Sequence, residues 1–220
     1  MLPAHLHELV EFHAPLSTLQ RGQGGAVTLL TPGVNVLALN ATFLPDDLAG
    51  ADLDGPDLDA VRNGHEGQGL PALMASGRPL AGAREVARLV VGAWAPAAVP
   101  APSDVVVEQV SRLHLGTWAA VLASAHGTPG WAQALARHLA PRLEGDRQSV
   151  LLMAYRAGEA VGALLWRRGA AHLWGAADGH AARPLLDAAF ALEGTLRVSV
   201  AGAEPLQLTD PRPVIYSVLD

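Results

Sequence analysis

Three residues in the second half of the chain have side chains suited to moving a proton. Glu159 opens a strand-like run, His172 lies on the next strand in step with Trp174, and Tyr216 sits on the last strand. A carboxylate, an imidazole and a phenol cover both directions of proton transfer, so each is a candidate general acid or base. Each also has an ordinary structural explanation: hairpin turn for Glu159, sheet face for His172, strand packing for Tyr216.

Other chemistries are excluded by what is missing. The 220 residues include no cysteine, and all 15 basic residues are arginine. No thiol can act as nucleophile, hold structural zinc or ligate an iron–sulfur cluster. No lysine can form a Schiff base or serve a Walker-type phosphate loop. Any phosphate recognition must rest on backbone N–H groups and arginine.

Metal binding is poorly supported. His5, His7 and His13 cluster at the start, but on a helix His5 and His7 point about 200° apart. His7-Glu8 opens like H-E-x-x-H, yet the fifth position is Glu11. Asp52, Asp54, Asp57 and Asp59 lack the spacing and closing glutamate of a calcium loop, and read as a solvated acidic loop. No Gly-x-Ser-x-Gly elbow occurs, and Ser124 and His126 have no identifiable acidic partner.

The net charge is -6 with a pI near 5.8, which disfavours nucleic acid as a partner. The charge is uneven, with five arginines against twelve acids in residues 1–110 and ten against nine in 111–220. An anionic ligand is therefore better tolerated by the second half. No signal-like segment or membrane span is visible, and a cysteine-free chain fits the cytoplasm.

The elements that must position these residues follow from periodicity. Ala4–His13 reads as a helix stopped by Pro15, and residues 20–25 as a glycine-rich loop. Ala26–Thr31 and Val34–Phe43 read as strands, followed by an acidic loop and a short helix at Asp57–Glu66. Leu70–Ala75 and Glu85–Trp94 are further strands. Ala95–Pro102 (APAAVPAP) reads as a linker. Beyond it come a strand at Val105–Val110 and helices at Trp118–Ala125 and Trp131–Leu143. The second helix carries the stripe Trp131, Leu135, Leu139, Leu143. Three strands follow at Val150–Tyr155, Ala160–Arg167 and Ala170–Trp174. Pro184–Glu193 is a helix with proline at its first position, and Leu196–Val200 and Val214–Val218 close the chain.

The stretch VLLMAYRAGEAVGALLWRRGAAHLWG, with Gly162 in its second strand, resembles the central antiparallel strands of the GNAT N-acetyltransferase superfamily. The element order from Asp104 to Val218 is similar, and the first half repeats that order more loosely. The resemblance implies an α/β (α+β) protein of two GNAT-like halves, each a mostly antiparallel central sheet flanked by helices. The expected division is 1–95, a linker at 96–103, and 104–220.

In that family acetyl-CoA binds at a loop of the form Q/R-x-x-G-x-G/A leading into a helix. Small residues there let the backbone approach the pyrophosphate, and free N–H groups donate to it. The corresponding stretch here is Trp174-Gly-Ala-Ala-Asp178-Gly179-His180-Ala-Ala-Arg183-Pro184. Its spaced glycines are missing, and Asp178 puts negative charge where the pyrophosphate would lie. A literal match at Arg21-Gly-Gln-Gly24-Gly-Ala26 and a glycine cluster at Gly64–Gly69 precede strand-like runs rather than helices.

The resemblance implies acetyl-CoA as cofactor, with Leu173, Trp174, Gly175, Gly179, His180 and Arg183 as cofactor-binding candidates. It further implies splayed central strands that offer N–H groups to the pantetheine arm. His172, Glu159 and Tyr216 would then handle protons during direct attack by a small-molecule or peptide amine. The competing expectation is a non-catalytic GNAT-fold binding or dimerisation module that has lost acetyl-CoA binding, and a homodimer is a further expectation under either reading. A third is an unrelated α/β protein whose strands from Val150 to Trp174 are not consecutive antiparallel neighbours.

Overall fold

The structure is a computed structural model that describes residues 1–47, 56–97, 103–201 and 206–219, with only the backbone described at 56–58. The expected linker residues 98–102 and the acidic residues Asp52 and Asp54 lie outside the described residues. In chain order the elements are α1 (Ala4–His13), β1 (Leu19–Gln23), β2 (Ala26–Leu30), β3 (Thr42–Phe43), α2 (Pro56–Glu66), β4 (Leu73–Ser76) and β5 (Arg84–Ala93). There follow β6 (Val105–Val110), α3 (Leu115–Ala125), α4 (Ala132–Leu143), β7 (Ser149–Arg156), β8 (Glu159–Arg167), β9 (Ala170–Ala176), α5 (Gly179–Ala191), β10 (Arg197–Ala201) and β11 (Thr209–Val218). No helix among the described residues is long and apolar enough to cross a membrane.

The chain forms two compact units. The first takes Met1–Val91, Val200–Pro205 and Pro211–Asp220; the second takes Gly92–Ser199 and Leu206–Asp210. Sequence order placed all of 104–220 together, but β11 pairs antiparallel with β4, Ile215 opposite Ser76, and so completes the first unit.

In the first unit the strand order is β1-β2-β3-β4-β11-β5. The pair β3–β4 is parallel, with Thr42 opposite Met74. α1 forms because Leu6, Leu9 and Val10 share one face, and that face packs with Phe43, Leu73, Ala75, Val91, Val214 and Tyr216 in a buried cluster. Two expectations fail here. Residues 20–25 are not a loop but most of a β-hairpin, whose turn residues Gly24 and Gly25 take the positive φ (56° and 84°) that a tight hairpin turn requires. Val34–Phe43 is not a strand, and only Thr42–Phe43 pairs. The cause is Asn40, whose side chain accepts from Thr31 N (2.8 Å) and donates to Val34 O (2.6 Å), drawing the backbone into a short helical turn at Leu37–Leu39.

In the second unit the order is β10-β9-β8-β7-β6. β6, β7, β8 and β9 are antiparallel neighbours in succession, so the consecutive-strand expectation holds. The hairpin turns are Ala157-Gly158 and Arg168-Gly169, all four residues at positive φ. β10 returns parallel to β9 after α5. α3 packs on β8 and β9, and α5 packs across β6 to β9. Trp131 leaves the expected stripe: it ends a short 3-10 turn and is 41% exposed, while Leu135, Leu139 and Leu143 are buried. α5 begins five residues earlier than its proline suggested, because Asp178 caps it at Gly179. Pro184 is tolerated inside α5 because the bond it cannot make would reach only the carbonyl of exposed His180.

Candidate functional site

The second unit contains the junction from Trp174 to Pro184 at which the resemblance places a cofactor. β9 and β10 form ladder pairs at only two positions, Arg197 with Ala170 and Val198 with Ala171. Beyond Ala171 the parallel ladder stops, although β9 runs on to Ala176 and β10 to Ala201. The ends of two such strands form a wedge, and in open α/β sheets ligands bind beyond the carboxyl ends of parallel strands.

Side chains of this chain close the wedge. Trp174 is buried, and its indole N–H donates to the Ser199 carbonyl at 2.7 Å, reaching from β9 to β10. The Trp174 carbonyl accepts from His126 Nε2 at 2.9 Å. A carbonyl only accepts, so this bond fixes the Nε2–H tautomer of His126. Gly175 admits the imidazole: a Cβ there would lie 3.0 Å from both Ala125 Cβ and His126 Nε2.

The start of α5 is occupied in the same way. Asp178 Oδ1 accepts from the His180 N–H at 2.9 Å, and its backbone carbonyl accepts from the Ala181 N–H at 2.9 Å. Arg156 donates through Nη1 to Asp178 Oδ2 and through Nε to Asp104 Oδ2 at 2.9 Å. The His180 N–H, followed by the Arg156 guanidinium, holds the Asp178 carboxyl below the usual carboxylate range. Arg156 likewise lowers Asp104, and the two carboxylates raise Arg156. A helix start and an arginine make an anion site, and here the anion is Asp178.

These contacts decide whether acetyl-CoA fits. Its pyrophosphate would need the N–H groups and the arginine that Asp178 holds, and would meet the Asp178 charge. Its pantetheine arm would need the wedge that the Trp174 indole spans and the Trp174 carbonyl that His126 holds. The residues present do not fit the cofactor in the family manner.

The proposed site residues are only partly brought together. Leu173, Trp174 and Gly175 are buried on β9 at the wedge, and Gly179 and His180 are exposed at the start of α5. Arg183 instead stacks over the Trp94 ring at 5.1 Å, and the Trp94 indole N–H donates to Asp187 Oδ1 at 2.8 Å. His172 is buried on β9, whereas exposed Glu159 opens β8. By the β8–β9 register they stand some seven residues apart, about 20 Å at ~3.3 Å per residue, so they cannot share a substrate atom. Tyr216 is in the first unit, fully buried among Leu6, Leu9 and Phe43, with its phenol pushed up by burial.

Sequence reasoning missed Arg156, Asp104 and Ser199, and weighed His126 only as a neighbour of Ser124. Arg156 carried a local signal, because the Ala157-Gly158 turn places it at the end of β7; Asp104 carried less, because β6 pairs with β7 only across the intervening α3 and α4. His126 and Ser199 carried none. Of the histidines near the start, His7 pairs with Glu11 at 3.6 Å and His13 Nδ1 donates to Leu9 O at 2.8 Å, and no group of three potential metal ligands forms among the described residues.

No family model and no curated protein matches the chain. Solved structures do. A GCN5-related N-acetyltransferase from Kribbella flavida superposes with a TM-score of 0.62 at 14% identity, covering 99% of this chain and 96% of that one. A functionally unknown conserved protein from Staphylococcus epidermidis ATCC 12228 superposes with a TM-score of 0.59 at 12% identity, covering 90% and 92%. With the strand order, the parallel β9–β10 wedge and the helix that follows β9, these likenesses show that the chain has the GNAT fold.

Proposed function

We propose that this GNAT-fold protein works as a non-catalytic binding or dimerisation module and takes no acetyl-CoA at its second unit. The observation that carries this reading is the Asp178 carboxylate. It occupies the α5 start and holds Arg156 in an ion pair. A cofactor pyrophosphate would have to displace a carboxylate that leaves with its own negative charge still beside the site, and like charges at that distance repel.

Isothermal titration calorimetry with acetyl-CoA tests it directly. The expected result is no saturable heat at millimolar ligand. Saturable binding, with release of CoA when an amine is added, overturns it and supports the acyltransferase reading. That second reading draws on one feature, the β9–β10 ladder that stops after two pairs as a wedge requires.

A further inference from the structure

The wedge between β9 and β10 carries an inference separate from the charge on Asp178. A gap between parallel strands exposes carbonyl and N–H groups that must find partners, since an unmade buried bond is costly. In this chain a carbonyl on each side of the gap already has one. Ser199 O on β10 is bonded to the Trp174 indole at 2.7 Å, and Trp174 O on β9 to the His126 imidazole at 2.9 Å. The Trp174 indole is packed into the site, whereas His126 reaches in from the exposed end of α3. Trp174 is 7% exposed, and the imidazole fits only because position 175 is glycine.

The indole is the larger obstacle. It is anchored at β9 through its own backbone and at β10 through its N–H, so it spans the opening that an amide-bearing arm would enter. His126 comes from the end of α3 and takes a carbonyl that a ligand amide could otherwise use.

We infer that Trp174 is a lock: its indole substitutes for a pantetheine-like arm, and the wedge of this chain is a latent slot that opens when the indole is removed. The inference rests on the proposed loss of acetyl-CoA binding, but concerns the uncharged arm and not the phosphates.

The experiment uses pantetheine, which lacks the nucleotide and pyrophosphate and so does not report on Asp178. Binding to the full chain is followed by saturation-transfer NMR, with far-ultraviolet circular dichroism as the check on folding. The wild type is expected to show no transfer to pantetheine. Trp174→Ala is expected to bind it saturably, with a gain of at least ~10-fold over wild type. Should Trp174→Ala not fold, Trp174→Leu keeps apolar volume beside β9 while freeing Ser199 O, and is expected to show the same gain. Transfer to pantetheine in the wild type overturns the lock, as does a folded variant that binds no better than wild type. Acetyl-CoA heat in the wild type without any pantetheine signal overturns the module reading instead, so the two failures are distinguishable.

Discussion

Tyr216 buries a phenolic hydroxyl that has no hydrogen-bond partner among the described residues. An unsatisfied buried polar group costs about 1–3 kcal/mol, and deleting the oxygen alone leaves the ring's packing intact. Tyr216→Phe is therefore expected to stabilise the protein by about 1–2 kcal/mol, read as a rise in Tm of ~2–4 °C per kcal/mol. A fall in Tm would show that the hydroxyl makes a bond. His65 gives the opposite case. It is fully buried on α2, its Nε2 lies 3.0 Å from Thr42 Oγ1, and burial pushes its pKa down to about 4. The unfolded chain takes up the proton near the ordinary value of 6.5, so stability is complete above pH 6.5 and declines as pH falls towards 4. The loss approaches ~3 kcal/mol at 1.36 kcal/mol per unit. His65→Gln keeps a polar atom for Thr42 and removes the titration, so urea unfolding from pH 7 to pH 4 should give a flatter profile than wild type. Neither role was legible in the sequence. Tyr216 was recognisable as a strand residue, but which unit it enters depends on β11 pairing with β4, some 140 residues away along the chain.

At the scale of elements, what was local was legible. The turns at Ala157-Gly158 and Arg168-Gly169 announce β7, β8 and β9 because the glycine of each pair takes a positive φ at no steric cost, while Ala157 and Arg168 are held there by the two-residue turn. α1 was read to the residue from its apolar spacing. The start of α5 was misread because two local signals compete, a capping aspartate at 178 and a proline at 184. The cap prevails, since it satisfies N–H groups while the proline sacrifices one bond. Asp178→Ala is expected to lower Tm by removing the cap and one of the two carboxylate partners of Arg156, whereas Asp178→Asn keeps the acceptor and should lose less. Thermal unfolding of the two variants checks the order. The packing of α3 on β9 left one trace in sequence, Gly175. Gly175→Ala places a methyl 3.0 Å from both Ala125 Cβ and His126 Nε2 and is expected to cost about 1–3 kcal/mol. It should also weaken the His126 bond to Trp174 O, visible as a changed His126 imidazole resonance. An unchanged Tm would mean that α3 moves aside freely.

The whole molecule departs most from sequence order. The expected break after residue 95 places every element of the first unit but one on its N-terminal side. The exception is β11, which lies between β4 and β5 in that unit's strand order. Without it β4 loses a neighbour over Leu73–Ser76, and the cluster around α1 loses Val214 and Tyr216, both fully buried. Ile215, also buried, goes with them. Fully burying side chains of this kind contributes about 1.5–3 kcal/mol each. The three together therefore approach the ~5–15 kcal/mol that separates a folded domain from its unfolded chain. Fragment 1–95 is accordingly expected not to fold by itself, with poor amide dispersion in NMR and no cooperative thermal transition. Covalently joining residues 206–220 to it through a flexible linker restores β11 and should restore cooperative unfolding. The control is the same fusion carrying Val214→Asp, which buries an unpaired charge in the cluster and should abolish the rescue. If 1–95 folds cooperatively without β11, the strand is an addition to a unit that is already complete. If the fusion and its Val214→Asp control behave alike, β11 does not supply the missing core.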